Sequence, residues 1–255
     1  MKPQKVAILT ALPLGALLGI TGVLIGLGVP PSKIIPSISP TCPVSTIVRD
    51  WYQDKTKVGT RYRLVNGKPV VGSGDIVLDC GSFTGDTTRD FLDLGASVIV
   101  AIDPAESAMR ELRKMFAPEI AKGSVIPEQV AVFDHAGEME LTEHDNPAAN
   151  SLIYEGTRKV MVPVTTIDAL VAKLNLSRVD LIKLDIEGAE RWALKGAAGT
   201  IKRFRPRIIA ASYHLPDDYE QIPITIRSID TTYRLETGRC RMAHSRIIPN
   251  LLYFF

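Results

Sequence analysis

The chain has 255 residues and a formal net charge of +2. That length accommodates one sizeable α/β domain with a full core, or two small ones, and the near-balanced charge gives bulk electrostatics no hold on nucleic acid or another polyanion. Cys42, Cys80 and Cys240 are odd in number and far apart, so they supply neither a disulfide framework nor a CxxC metal or redox pair.

From Val6 to Val29 the chain is almost wholly apolar and uncharged, with Lys2 and Lys5 before it and Lys33 after it. Such a stretch, at 1.5 Å rise per residue, is long enough to span a hydrocarbon core of about 30 Å, so residues 6–29 read as a transmembrane anchor. A signal peptide competes, but its apolar part runs to about 7–15 residues and ends in an Ala-x-Ala-like site, which "LGVPPSK" lacks. Gly15, Gly19, Gly22 and Gly26 line one helical stripe and point to an anchor-driven homodimer. Five prolines between Val29 and Pro43 make residues 30–50 an extended tether, because proline fixes φ and removes backbone donors. Residues 51–255 then form the domain that carries chemistry.

Within that domain "DIVLDCGSFTG", Asp75 to Gly85, is a buried strand closed by a glycine turn, followed by a helix over Asp86 to Leu94. "SVIVAID", Ser97 to Asp103, is a second buried strand, and Pro104 opens a helix on which Met109, Leu112 and Phe116 recur at helical spacing. A third strand falls within Ser124 to Phe133. Thr165 and Asp168 stand at capping-box spacing before Leu170, Val171 and Leu174. "LIKLDIEGAE", Leu181 to Glu190, is the fourth strand with a helix over Ala189 to Ala197, and "PRIIAASYH", Pro206 to His214, is the fifth. "TYRLETGRC" and "NLLYFF" close the chain as antiparallel strands. Regular alternation of strand and helix predicts an α/β fold with an open, doubly wound, mostly parallel sheet, whose ligands bind at the carboxyl ends of the strands.

The glycine turn has the layout of a nucleotide loop, since a helix start offers unpaired N–H groups and a partial positive charge. Only two glycines of the Gly-x-Gly-x-x-Gly dinucleotide fingerprint are present, and Asp79 inside the turn would repel a pyrophosphate. A cationic or zwitterionic ligand without phosphate suits it, and S-adenosylmethionine is one. Asp103, ending the second strand, is placed to accept the hydroxyls of a ribose. In "LIKLDIEGAE", Lys183, Asp185 and Glu187 share one face of an otherwise apolar strand. Asp185 and Glu187 then reach the strand's carboxyl end, His214 ends the next strand, and Lys183 reads as the neutralising partner of the two acids. Aligning an acceptor and removing a proton from it need groups at these strand ends, which points to His214 or Asp185 as base and Glu187 as the group orienting substrate. Asp185 and Glu187 also suit a divalent cation, since hard cations accept carboxylate oxygens, but no histidine or third acid falls at ligand spacing, so cation binding stays a minority reading and no metal is assigned. His135, His144 and His244 are isolated and read as solvated, and Trp192 as core.

"VVGSGDIVLDCGSFTGDTT", "VIVAIDP", "VPVTTIDAL", "VDLIKLDIEGAERWALKGA" and "RPRIIAASYHLPDD" resemble, in that order, the motifs of the FkbM-type class I methyltransferases. The resemblance runs from about Val70 to the C-terminus and implies a seven-stranded Rossmann-like sheet, S-adenosylmethionine as methyl donor and O-methylation of a small-molecule, lipid or saccharide hydroxyl. It places Asp79, Gly81, Ser82 and Gly85 on the methionine and ribose side of the pocket, Asp103 on the ribose, and Gln129, Ala131 and Val132 near adenine. Where the family has Ala-Asn this chain has Ser82-Phe83, and Asp103 stands for the usual Glu before Pro. Two further readings remain: a catalytically inactive module held at a membrane, for which Phe83 is the hint, and a nicotinamide-dependent oxidoreductase, against which the missing glycine and Asp79 argue. Lys2 and Lys5 outweigh Lys33 and Arg49, which favours a translocated domain. A cytosolic methyl donor favours the opposite, and the expectation is a single-pass membrane protein with a cytoplasmic domain.

Overall fold

The computed structural model describes residues 37–38, 42, 62, 64–65, 68–156, 158–244 and 246–255. Among these no helix is long and apolar enough to cross a membrane. That corrects the expected single-pass placement with a cytoplasmic domain. The 6–29 segment on which it rested, with its glycine stripe, lies outside the described residues.

The chain divides into two compact units, residues 1–56 with 239–249, and residues 57–238 with 250–255. In the first, Ser37–Ile38 pairs in parallel with Arg246–Pro249, which pairs antiparallel with Cys240–Ala243. Cys42 is disulfide-bonded to Cys240, 198 residues away in sequence. Both findings correct the sequence reading, which made residues 30–50 an unpaired tether and left the cysteines unbridged. Cys80 is free and buried in the second unit.

The second unit holds the expected alternation: β1 (Ile76–Cys80), α1 (Asp86–Asp93), β2 (Val98–Ile102), α2 (Glu106–Met115), β3 (Val125–Glu128), α3 (Ile167–Lys173), β4 (Leu181–Leu184), α4 (Glu190–Lys195), α5 (Ala198–Phe204), β5 (Arg207–Ala211), α6 (Asp218–Ile229), β6 (Leu235–Thr237) and β7 (Leu251–Phe254). The strands form one sheet in the order β6-β7-β5-β4-β1-β2-β3. β3, β2, β1, β4 and β5 are mutually parallel, while β7 runs antiparallel to β5 and β6. Between β3 and α3 the chain forms a small sheet of Ala131–Val132, Arg158–Thr165 and Gly137–Glu143.

Both faces of the large sheet are covered, which is why its strands read as apolar runs. Leu78, Ile182, Leu184, Ile208 and Ala210 join the core on one face, and Val77, Leu181, Ile209, Ala211 and Phe91 that on the other. The capping residue of α3 is Thr166 rather than Thr165: its hydroxyl accepts from the Ala169 N–H at 3.0 Å. Asp168 turns away from its own helix and accepts from the N–H groups of Gly199 and Thr200 in the first turn of α5, at 2.8 and 2.6 Å. The chain runs outward from β1 to β3 and then returns to place β4 beside β1. This reversal opens a crevice at the carboxyl ends of those two strands, the position where open α/β sheets bind ligands.

Candidate active site

Three turns meet over that crevice. The first leaves β1 at Gly81, whose φ of +76° is left-handed, and enters α1 at Gly85, with φ +98°. Packing also demands glycine at position 81, since a Cβ there would lie 2.0 Å from the carbonyl oxygen of Asp185. Gly81→Ala is therefore expected to cost about 1–2 kcal/mol for the left-handed φ alone, before the clash is counted. Thermal denaturation checks this, and an unchanged midpoint would mean that the two strand ends separate without resistance. Phe83 is also left-handed, at φ +48°, a conformation that a side chain such as Asn adopts more readily than Phe.

The second turn follows β2. Asp103 accepts from the Phe83 N–H at 3.1 Å and from the Ala105 N–H at 2.9 Å, so its carboxylate ties the glycine loop to the start of α2. Burial pushes the Asp103 carboxyl above its ordinary range, opposed chiefly by these two N–H groups. Asp79, by contrast, has a cationic partner. It is fully buried, 3.0 Å from the Lys183 ammonium, and accepts from the Thr87 and Thr88 hydroxyls at 2.8 and 2.7 Å. Lys183, 1% exposed, also donates to the Gly81 carbonyl at 2.7 Å. Its partner is thus Asp79 directly across the β1–β4 register, rather than the Asp185 and Glu187 pair expected from strand alternation.

The third turn follows β4. Glu187 (φ +51°) and Gly188 (φ +102°) are consecutive left-handed residues. The turn is held by Glu190, fully buried, whose carboxylate accepts from the N–H groups of Ile186 and Gly188 at 2.9 and 3.1 Å. The same carboxylate lies 2.8 Å from Nδ1 of His214, and Nε2 of that ring lies 3.2 Å from Glu187 and 3.5 Å from Asp185. Burial works against a charged ring, but Glu190, Glu187 and Asp185 outweigh it and hold the His214 pKa up at about 11. Asp185 is further held by the Tyr62 hydroxyl and, at 3.3 Å, by the Tyr213 hydroxyl. The Tyr154 hydroxyl donates to the His214 carbonyl.

These turns line an open cleft, a concave site of the kind in which small molecules bind. Gly81, Asp103, Ala131, Val132, Asp185 and Glu187, all singled out from sequence, line it. The remaining candidates sit elsewhere. Asp79 is buried against Lys183, Ser82 is fully buried, and a Cβ on Gly85 would press on the Phe116 ring. Gln129 is exposed and meets Arg113 at 3.3 Å, while His214, 4% exposed, stands behind the two carboxylates rather than in the cleft wall. Sequence reasoning missed Glu190, although the N–H groups of a turn as tight as "DIEG" need an acceptor and Glu190 closes that motif. Nothing local signals Tyr62, which lies 123 residues from Asp185.

A mostly parallel seven-stranded sheet whose one reversed strand, β7, lies between β5 and β6, with its cleft between a glycine turn and two acid-bearing strand ends, defines a class I methyltransferase-like fold. The family model for the methyltransferase FkbM domain matches residues 79–247, and the chain belongs to that family. Among solved structures it is similar to methyltransferase FkbM from Methylobacillus flagellatus KT, at TM-score 0.53 and 20% identity over 72% of this chain and 44% of that one. This chain therefore spans less than half the length of that relative, and the likeness is one of fold. It also matches Aeropyrum pernix fibrillarin, solved with natively bound S-adenosyl-L-methionine, at TM-score 0.45 and 13% identity over 76% of this chain and 71% of that one. An rRNA methylase from Streptococcus thermophilus matches at TM-score 0.43 and 14% identity, over 72% and 88% of the two chains. No curated protein matches the chain.

Proposed function

We propose that the chain transfers a methyl group from S-adenosylmethionine to a hydroxyl of a small molecule, lipid or saccharide. The observation that carries this is the meeting of Asp103, from the end of β2, with Asp185 and Glu187, from the end of β4, in one cleft above a glycine turn. Three carboxylates in its wall repel a pyrophosphate and favour a cationic ligand, which argues for a sulfonium donor and against a dinucleotide. Val130, Ala131, Val132 and Leu141 supply an apolar wall for a base. Family membership supports the same chemistry.

Bound S-adenosylmethionine would supply a methyl group already activated by its sulfonium sulfur. The protein's remaining tasks are alignment of the acceptor and removal of one proton. Asp185 faces the cleft with its carboxylate fixed by Tyr62 and Tyr213, and it takes the role of base. His214, which keeps its own proton at neutral pH when it faces only these carboxylates, positions Asp185 and Glu187 instead of collecting a proton. Glu187 orients the acceptor.

Titration of the purified chain with S-adenosylmethionine and with NAD, followed by transfer of a labelled methyl group into membrane and soluble extracts, tests the reading. Binding of NAD but not of the sulfonium would overturn it, and binding without transfer to any extract would favour an inactive module. Asp103→Asn is expected to weaken donor binding by about 1.5–3 kcal/mol, the range for a hydrogen bond to a charged group. Calorimetry reads this directly, and unchanged affinity would remove Asp103 from the ribose site.

A further inference from the structure

We propose that Asp185, Glu187 and His214 together form a binding site for one divalent cation beside the cleft. One atom from each residue can be chosen so that all three lie within 4.8 Å of one another, and His214 Nε2 lies 3.2 and 3.5 Å from its two carboxylate neighbours. Ligands about 2.1–2.3 Å from a shared ion stand roughly 3 Å apart when adjacent and roughly 4.5 Å apart when opposite. The two imidazole–carboxylate separations are those of adjacent ligands, and the 4.8 Å bound admits a shared ion for the third pair. The ion takes the place of the Nε2 proton, which is released to solvent.

The surroundings agree with that geometry. A metal-binding imidazole is ordinarily fixed through its other nitrogen by a carboxylate, and here the fully buried Glu190 holds Nδ1 at 2.8 Å, which aims Nε2 at the two acids. Asp185 is oriented by Tyr62 and Tyr213, so two of the three ligands carry supporting bonds of their own. Asp185 and Glu187 line the open cleft, which gives an ion both an entry path and free positions on the side where an acceptor would sit. Two carboxylates with one imidazole match manganese and magnesium better than softer ions. Asp168, by comparison, spends its carboxylate on capping α5.

Cation binding stands on this geometry alone. Its use, holding the acceptor's hydroxyl oxygen in place, rests on the methyl-transfer reading above. Chelator-treated full-length chain is titrated with Mn²⁺, and the signal of the free ion is followed by electron paramagnetic resonance, with Mg²⁺ as competitor. The expected result is uptake of one Mn²⁺ per chain, displaced by Mg²⁺ and weakened at least about tenfold in Glu187→Gln. Glu187 is half-buried on a turn, and thermal denaturation in chelator confirms that this variant is folded. Asp185→Asn supplies a second variant with the same expected loss. Absence of uptake by the wild-type chain, or equal uptake by the wild type and both variants, overturns the proposal. Calorimetry with S-adenosylmethionine on the same samples separates the two ideas. Donor binding without Mn²⁺ uptake removes the cation and leaves the methyltransferase reading, whereas Mn²⁺ uptake without donor binding does the reverse.

Discussion

Asp185→Asn is expected to lower methyl-transfer turnover by about 10²–10⁴-fold, the contribution of a well-placed base, while the affinity for S-adenosylmethionine stays within about twofold. The substitution keeps the shape of the side chain and an oxygen for one of the Tyr62 and Tyr213 hydroxyls, which meet different carboxylate oxygens, and it removes the charge that accepts a proton. Asp185 belongs to the turn after β4, whereas the donor's ribose is assigned to Asp103 after β2, so the two effects should separate. Single-turnover rates with labelled donor and calorimetric titration of the same preparation provide the measurement. A variant that transfers methyl groups at the wild-type rate would exclude Asp185 as base, and one that loses donor affinity instead would place Asp185 in the donor site.

Lys183→Met is expected to destabilise the fold by about 3–5 kcal/mol, because it leaves the Asp79 charge without its counterion in the dry interior. For a domain of this size that corresponds to a fall of roughly 6–20 °C in thermal midpoint. The loss is large against a total stability of about 5–15 kcal/mol. Lys183 and Asp79 are 1% and 0% exposed, and the Thr87 and Thr88 hydroxyls cannot replace an ammonium 3.0 Å away. Methionine follows the lysine stem but also releases the Gly81 carbonyl, so the glycine turn should loosen together with the core. Combining Lys183→Met with Asp79→Asn removes both charges and should recover most of the loss, since an uncharged buried pair avoids the desolvation of two ions. If the double variant is as unstable as the single one, the cost lies in the lost Gly81 contact rather than in the charge.

Much of the fold was legible because local pattern and global architecture agree. The apolar runs that became β1, β2, β4 and β5 are bounded by glycine, proline and acids, and a parallel sheet covered on both faces requires such runs. Helical spacing of Met109 and Leu112 located α2, whose buried face carries both residues. The limits were equally physical. A capping box predicts a start near Thr165, but the hydroxyl that reaches an amide is that of Thr166, and Asp168 is used by a neighbouring helix 31 residues on. Cysteine count and spacing argued against a disulfide, and the Cys42–Cys240 bridge overturns that reading, because pairing depends on which strands lie side by side.

The sequence by itself determined the doubly wound sheet, the glycine turn at Gly81 and the positions of Asp103, Asp185 and Glu187 at strand ends, since these follow from side-chain period and from residues with few permitted conformations. Only the tertiary structure decided which charges meet. Register across β1 and β4 sent Lys183 to Asp79, and the β4 turn drew Glu190 beneath His214. Tyr62 came to Asp185 across 123 residues. Electrostatic partnership depends on distance through space and on burial, and a one-dimensional pattern encodes neither. The same charges therefore read as a decorated strand in sequence and as a buried ion pair beside a carboxylate and imidazole cluster in the folded protein.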